Sequence, residues 1–363
     1  MKYFNENLNG VFYKEPRNFN KYIDKEVLKY CLGANMYMSA TKNILGKIKN
    51  KKFKNIGCIT LCFEDATKES EINLAEENVL KLFCDICKLL KEGDLNDEDL
   101  PLIFLRVRSI DQFKKFSSNL TKDHANILAG FIFPKFNSDN GEEYLRHLKK
   151  LNDKYETVLY GMPIIEDEKV IYKEFRYLEL DKIKSLLEPY KNLILNIRVG
   201  GTDFSSKFSL RRTVSTSIYD LMVVSDCLTD ILNFFTRSTD NYIISAPVFE
   251  YFSKDINSKE VQGLLKEIEL DKVNGFLGKT VIHPAQVKYV NSMYVVTYEE
   301  YIDATNIIEN SNVGGVFKGE NDNKMNEVLP HLNWARKVIL RSEAFGVLNE
   351  GICNYDLLKK EMV

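Results

Sequence analysis

From residue 34 onward, short apolar runs alternate with longer segments of helical period. The strand-length runs are 34–38, 57–63, 102–107, 128–133, 157–165, 193–199, 242–246 and 277–282. Between them apolar residues recur at helical spacing, as in Ile110, Phe113 and Phe116, or Val261, Leu264, Leu265 and Ile268, the period of a helix with one buried face. Alternation of this kind marks repeated βα units around a parallel sheet. Eight such units predict an α/β chain, a closed (β/α)8 TIM barrel whose active site lies at the carboxyl ends of the strands. The alternative is an open doubly wound sheet, but no glycine-rich dinucleotide turn follows an early strand. Residues 1–32 read as an N-terminal extension packed outside the barrel, 33–309 as the barrel, and 310–363 as a linker and helical cap. In that last stretch Asn310 to Asn323, with Gly314, Gly315, Gly319 and Asn321, reads as a mobile connector, and Leu332, Ala335, Val338 and Ile339 as an amphipathic helix.

Polar residues gather where these runs stop. The second strand ends in Glu64 and Asp65, the third carries Arg106 and Arg108, and the fourth ends in Pro134 and Lys135. The fifth ends on Glu166, the sixth runs into Gly200, Gly201, Thr202 and Asp203, and the eighth delivers Lys279 and His283. Two carboxylates from different strands, completed by water and substrate oxygens, suit Mg²⁺, and Glu166 and Asp203 are placed for it. Their other reading is an ordinary loop acid or a buried ion pair with a nearby lysine. Arg106 offers a planar two-point clamp for carboxylate or carbonyl oxygens, or an ion pair with Glu64 or Asp65, and the two are compatible. Lys135 adds a cation for an anionic ligand. The spacing of Lys279 and His283 puts both on one face of a strand that Pro284 terminates, which makes them candidate substrate contacts. Arg211 and Arg212, in a loop rich in Ser and Thr, read either as a grip on phosphate or carboxylate or as a solvated loop.

Composition narrows the partners. With 363 residues and 44% hydrophobic content, the chain can bury a full core. Its 50 Lys and Arg against 52 Asp and Glu leave a net charge of -2, no field for a polyanion, so neither nucleic acid nor a membrane surface is expected as a partner. The polar start and the lack of an apolar run near the roughly 18 to 20 residues of a membrane span point to a cytoplasmic protein. Seven cysteines, an odd number, suit a reducing compartment. Cys84 and Cys87 fall within one amphipathic helical segment and read as structural, with no second pair to complete a zinc site.

Taken together, these motifs resemble the HpcH/HpaI aldolase and citrate-lyase beta-subunit family. The family's acidic second strand is matched by Cys62-Phe63-Glu64-Asp65-Ala66-Thr67, its arginine-bearing third strand by Leu105-Arg106-Val107-Arg108, and its Pro-Lys pair by Pro134-Lys135. Ile165-Glu166, Gly200-Gly201-Thr202-Asp203-Phe204 and the run from Gly275-Phe276 through Gly278-Lys279 to Ile282-His283-Pro284-Ala285-Gln286 match in the same order. The resemblance implies a Mg²⁺-dependent C–C bond lyase or aldolase, acting on a 2-oxo acid or acyl substrate, either free or linked to CoA or a nucleotide. It implies Glu166 and Asp203 as metal ligands, Arg106 as the substrate arginine with Glu64 and Asp65 beside it, and a homo-oligomer, trimer or hexamer. The tail and the Leu210-Arg211-Arg212 loop resemble a sub-branch encoded in tellurium-resistance-type stress clusters. Departures are Thr67, Arg108, Ser39, and Asn326-Glu327 where CoA-thioester lyases carry a tail aspartate. The competing expectations are an enzyme of phosphoryl or phosphoribosyl metabolites and a non-catalytic binding subunit that retains the barrel.

Overall fold

The computed structural model describes every residue except 5–7, 9, 54, 313, 320–324 and 360–363. Eight parallel strands form its centre: β1 (Ala34–Ser39), β2 (Cys58–Cys62), β3 (Leu102–Arg106), β4 (Leu128–Phe133), β5 (Tyr160–Ile165), β6 (Ile197–Val199), β7 (Ile244–Ser245) and β8 (Lys279–Val281). They hydrogen-bond in the order β7-β6-β5-β4-β3-β2-β1-β8. A parallel bridge between Ala246 and Lys279, with Leu277 N donating to Ile244 O at 2.8 Å, joins β7 to β8. The barrel is thereby closed, as the count of runs predicts. Every residue of β2 to β5 is buried, because barrel strands have side chains on one face and helices on the other, which is why they read as continuous apolar runs.

The observed strands are shorter than their runs. The 193–199 run keeps only Ile197–Val199 as strand, since Leu193 ends a 3-10 turn, Glu188–Leu193, with Pro189 as its second residue. The flanking helices follow the apolar periodicity: α1 (Ile72–Glu92), α2 (Ile110–Ser118), α3 (Gly141–Tyr155), α4 (Lys173–Leu187), α5 (Met222–Phe235), α6 (Lys259–Val273) and α7 (Pro284–Tyr294). The α1 helix stops at Gly93, whose φ of +79 and amide bonds to Leu89 O and Leu90 O form a left-handed cap.

The N-terminal extension does more than cover the outside. Lys21 Nζ donates to the carbonyls of Ala125, Leu128 and Val158 at 2.5, 2.9 and 3.1 Å, at the amino ends of β4 and β5. Tyr3 stacks on Phe345 with ring centroids 5.0 Å apart and donates to Cys31 O at 2.7 Å. A short strand, Phe12–Lys14, pairs antiparallel with Val347–Leu348. Beyond the barrel, α8 (Tyr298–Glu309) packs on α9 (Val328–Phe345) through Ala304, Ile307, Ala335 and Val338. Within the expected connector, Val316–Lys318 pairs antiparallel with Met325–Glu327 just beyond it, while residues 313 and 320–324 lie outside the described residues. Among the described residues no helix is long and apolar enough to cross a membrane.

Candidate active site at the carboxyl rim of the barrel

Parallel register decides which side chains enter the barrel. Cys62 pairs with Arg106, and Arg106 with Ile132, so these share the inner face. On the other side of the barrel Asn35 pairs with Thr280, and Asn35 accepts a 2.8 Å bond from Thr60 Oγ1 across the lumen wall. The inner residues open at the rim into a cavity of about 530 Å³ lined by Tyr37, Arg106, Glu166, Arg198, Asp203 and Thr280, among others.

Arg106 is the hub of this rim. Its Nη2 lies 2.8 Å from Glu64 Oε2 and 3.0 Å from Glu166 Oε1, and its Nη1 lies 3.1 Å from Asp65 Oδ2. Three carboxylates thus fix one guanidinium plane, the arrangement in which charge-assisted bonds are strongest. Lys135 completes the set: its φ of +49 turns the chain so that its amide donates to Glu166 Oε1 at 2.9 Å while Nζ reaches Glu64 Oε1 at 2.9 Å. A non-glycine residue in the left-handed region carries a small conformational cost, common where backbone is aimed at a site.

Glu166 leaves the end of β5 only 5% exposed, and Asp203 stands in the first turn of the helix Gly201–Ser206 just after β6. Their carboxylates meet over Gly200. A Cβ at that position would overlap Cβ and Oε2 of Glu166 and come within 3.1 Å of Asp203 Oδ2, so the glycine keeps open the space the two acids share. Burial pushes the Glu166 carboxyl up to about 7, with Arg106 opposing and Asp203 reinforcing the rise. Asp203 is also raised, by burial and then by the charge of Asp65. Burial makes both oxygen donors resist ionisation, a cost that a divalent cation would relieve; the donor set fits Mg²⁺. Burial raises Glu64, and at Asp65 the same burial is overcome by a hydrogen bond from Glu64 and by Arg106, which lower it. Neighbouring acids pushed apart in this way are typical of proton-handling sites.

Four expected substrate contacts are placed elsewhere. Lys279 is fully buried and points away from the lumen, bonded to Glu267 Oε1 at 2.9 Å and Asp271 Oδ2 at 2.8 Å on α6. The register explains it: Thr280, not Lys279, shares the inner face with Asn35. Arg212 is also buried, 2.6 Å from Glu250 Oε2, with further bonds to Glu267 Oε2 and Val248 O. Its guanidinium is consumed in holding the loop after β6 to α6. Arg211 beside it is exposed and does not line the cavity. His283 caps α7, its Nδ1 accepting from Ala285 N at 3.2 Å, and stacks on Phe252 with centroids 4.1 Å apart. A strand face does not govern it, because the strand ends at Val281. The rim residues that the sequence reading passed over are Tyr37, Thr280 and Arg198. Arg198 had a signal: a cation inside an otherwise apolar strand. Of the cysteine pair, Cys84 is exposed with Sγ 3.4 Å from His124 Nε2, and all seven cysteines are free.

Comparison with known proteins agrees with this geometry at the level of fold. Among solved structures, a citrate lyase from Burkholderia xenovorans LB400 superposes with a TM-score of 0.65 at 15% identity, covering 90% of this chain and 96% of that one. CitE from Mycobacterium tuberculosis, in complex with magnesium, acetoacetate and coenzyme A, gives 0.54 at 15% identity over 86% and 99% of the two chains. The magnesium/glyoxylate complex of Haloferax volcanii malate synthase gives 0.54 at 14% identity over 71% and 74%. No curated protein sequence matches the chain. Residues 26–347, however, match the profile of C–C bond lyases of the TIM-barrel fold, and the chain belongs to that family.

Proposed function

We propose that Glu166 and Asp203 hold Mg²⁺ and that the enzyme makes or breaks a C–C bond next to a carbonyl of a 2-oxo acid or acyl substrate. The observation that carries this reading is the pair of buried carboxylates facing one space over Gly200, with the Arg106 guanidinium bonded to one of them. Magnesium and small oxo compounds in the CitE and malate synthase complexes support it by analogy of fold. Bound there, the cation supplies Lewis-acid polarisation of the substrate carbonyl.

The chain's own residues do the rest. Arg106 presents positive charge to the oxygens on which the electron pair of the broken bond comes to rest. Glu64 and Asp65 hold its plane, so little reorganisation is needed when that charge develops. Glu64, with a raised proton affinity and Lys135 at 2.9 Å, is the group on this rim best placed to keep or pass a proton. The tail residue Asn326 is buried and donates to Asp303 Oδ1 at 2.9 Å within its own chain. The reading includes a homo-oligomer, trimer or hexamer, which light scattering measures. The competing phosphoryl-transfer reading loses Arg212, whose guanidinium is occupied by Glu250 and Glu267.

The test is titration calorimetry of Mg²⁺ into wild type, Glu166→Gln and Asp203→Asn, each checked for folding by circular dichroism. Both substitutions are expected to remove Mg²⁺ binding. Wild-type affinity in the folded variants overturns the assignment.

A further inference from the structure

Four arginines are buried among the described residues: Arg106, Arg176, Arg198 and Arg212. Three have carboxylate partners. Arg106 has Glu64, Asp65 and Glu166; Arg176 has Asp226 and Asp230; Arg212 has Glu250 and Glu267. Arg198 has none among the described residues. Its Nη2 donates to the hydroxyl of Thr280, its guanidinium carbon lies 5.5 Å from the centre of the Tyr37 ring, and its Nε and Nη1 have no acceptor among the described residues. Yet it is only 2% exposed.

A buried cation without a counter-charge is one of the least favourable arrangements in a protein interior, and it persists where something outside the chain supplies the missing charge. Arg198 lines the same cavity as Glu166 and Asp203. It leaves β6 two residues before Gly200, so the strand that ends in the metal loop also carries this cation inward. Asn35, opposite Thr280 in the ladder, leaves Nδ2 without an acceptor as well. The cavity thus has Glu166, Asp203 and Asp65 on one part of its lining and Arg198, Thr280 and Tyr37 on another. Its volume, about 530 Å³, is that of a small-molecule site.

We propose that Arg198 is the receptor for a second acidic group of the substrate, a carboxylate or phosphate borne on the end away from the metal-bound carbonyl. The substrate class is then a 2-oxo acid with a further anionic group, whose two ends are read by oppositely charged walls. A planar guanidinium suits either anion, and its charge makes each bond stronger than a neutral one. This inference rests on the metal reading above for the position of the oxo-acid end, but the anion receptor itself does not need the metal.

The test uses the full chain and calorimetry at saturating Mg²⁺, with pyruvate, 2-oxoglutarate and 3-phosphonopyruvate as probes. Wild type is expected to bind one or both of the doubly acidic probes about tenfold or more tightly than pyruvate, the effect of one or two charge-assisted bonds. Whichever is preferred identifies carboxylate or phosphate. Arg198→Met is expected to bring that probe down to the pyruvate level and leave pyruvate itself within about twofold, and Arg198→Lys to retain part of the preference. An unchanged preference in Arg198→Met, or no preference in wild type, overturns the proposal. Malonate and inorganic phosphate titrated in EDTA separate it from the metal reading. Binding that survives Asp203→Asn and is lost in Arg198→Met supports the receptor even where Mg²⁺ binding fails; Mg²⁺-dependent pyruvate binding without discrimination keeps the metal reading and removes the receptor. Without ligand, Arg198→Met should melt no lower than wild type, since no ion pair is lost. A large drop marks Arg198 as structural and also overturns the proposal.

Discussion

Replacing Lys279 with methionine distinguishes two roles for one residue. A substrate lysine at the rim would leave stability untouched and weaken binding. The lysine observed here is fully buried, with Glu267 at 2.9 Å and Asp271 at 2.8 Å. Removing it leaves Glu267 partly provided for, by Arg212 and by the amide of Ile218 at 2.8 Å, but leaves Asp271 with the hydroxyl of Tyr219 at 2.7 Å. Breaking one side of a buried pair costs about 3–5 kcal/mol, and Asp271, as the less supported acid, sets the pH dependence. Burial already holds Asp271 at about 6, against the lowering effect of Lys279. The rise from 3.8 to about 6 amounts to about 3 kcal/mol that the fold carries above that pH. Because the native state there binds the proton more tightly than the unfolded chain, this cost is absent below about pH 4 and complete above about pH 6. Without Lys279 the carboxyl rises further, and protonation becomes its way out. Urea unfolding should therefore show Lys279→Met destabilised by about 3–5 kcal/mol at pH 8 and by clearly less at pH 5. Adding Asp271→Asn should recover part of the loss at pH 8. A variant as stable as wild type at pH 8, or a deficit that does not change with pH, refutes the reasoning.

Two further substitutions probe the rim. Gly200→Ala has an ordinary φ of -93, so any effect comes from the methyl group meeting Glu166 and not from backbone strain; a folded variant with Mg²⁺ affinity reduced about tenfold or more is expected, and wild-type affinity by calorimetry would show that the two acids do not share that space. His283→Ala should cost about 1 kcal/mol in urea unfolding through the lost cap on α7 and leave pyruvate affinity at saturating Mg²⁺ unchanged; a tenfold affinity loss at unchanged stability would return the histidine to the substrate.

The part of the site legible in the sequence is the part set by strand ends. Glu64, Asp65, Lys135, Glu166 and Asp203 each follow an apolar run and Arg106 lies near the end of one, and a closed barrel brings such positions to one rim whatever the details of the helices. Lys279 and Arg212 were misplaced because their partners, Glu267 and Asp271, lie on the helix before β8, where an acid spaced four residues from another reads as a solvated face. Only the packing of α6 against the strand buries them. Arg198 was passed over for the opposite reason. It lies within a run long enough to be read as uniformly apolar, and whether a cation there enters the lumen depends on register, which one strand alone does not define.

The pairing of Phe12–Lys14 with Val347–Leu348 bears on how the chain is made. Lys14 and Glu343, joined at 2.5 Å, stand 329 residues apart. At about 5–20 residues per second, the first leaves the ribosome some tens of seconds before the second is synthesised. Until then the N-terminal strand has no partner edge, and Tyr3 lacks the Phe345 ring it stacks on. Lys21 can reach its carbonyls at Ala125, Leu128 and Val158 much earlier, so the extension docks in two stages: the Lys21 anchor while the barrel is still being made, and the Phe12–Lys14 strand only after residue 348 has emerged.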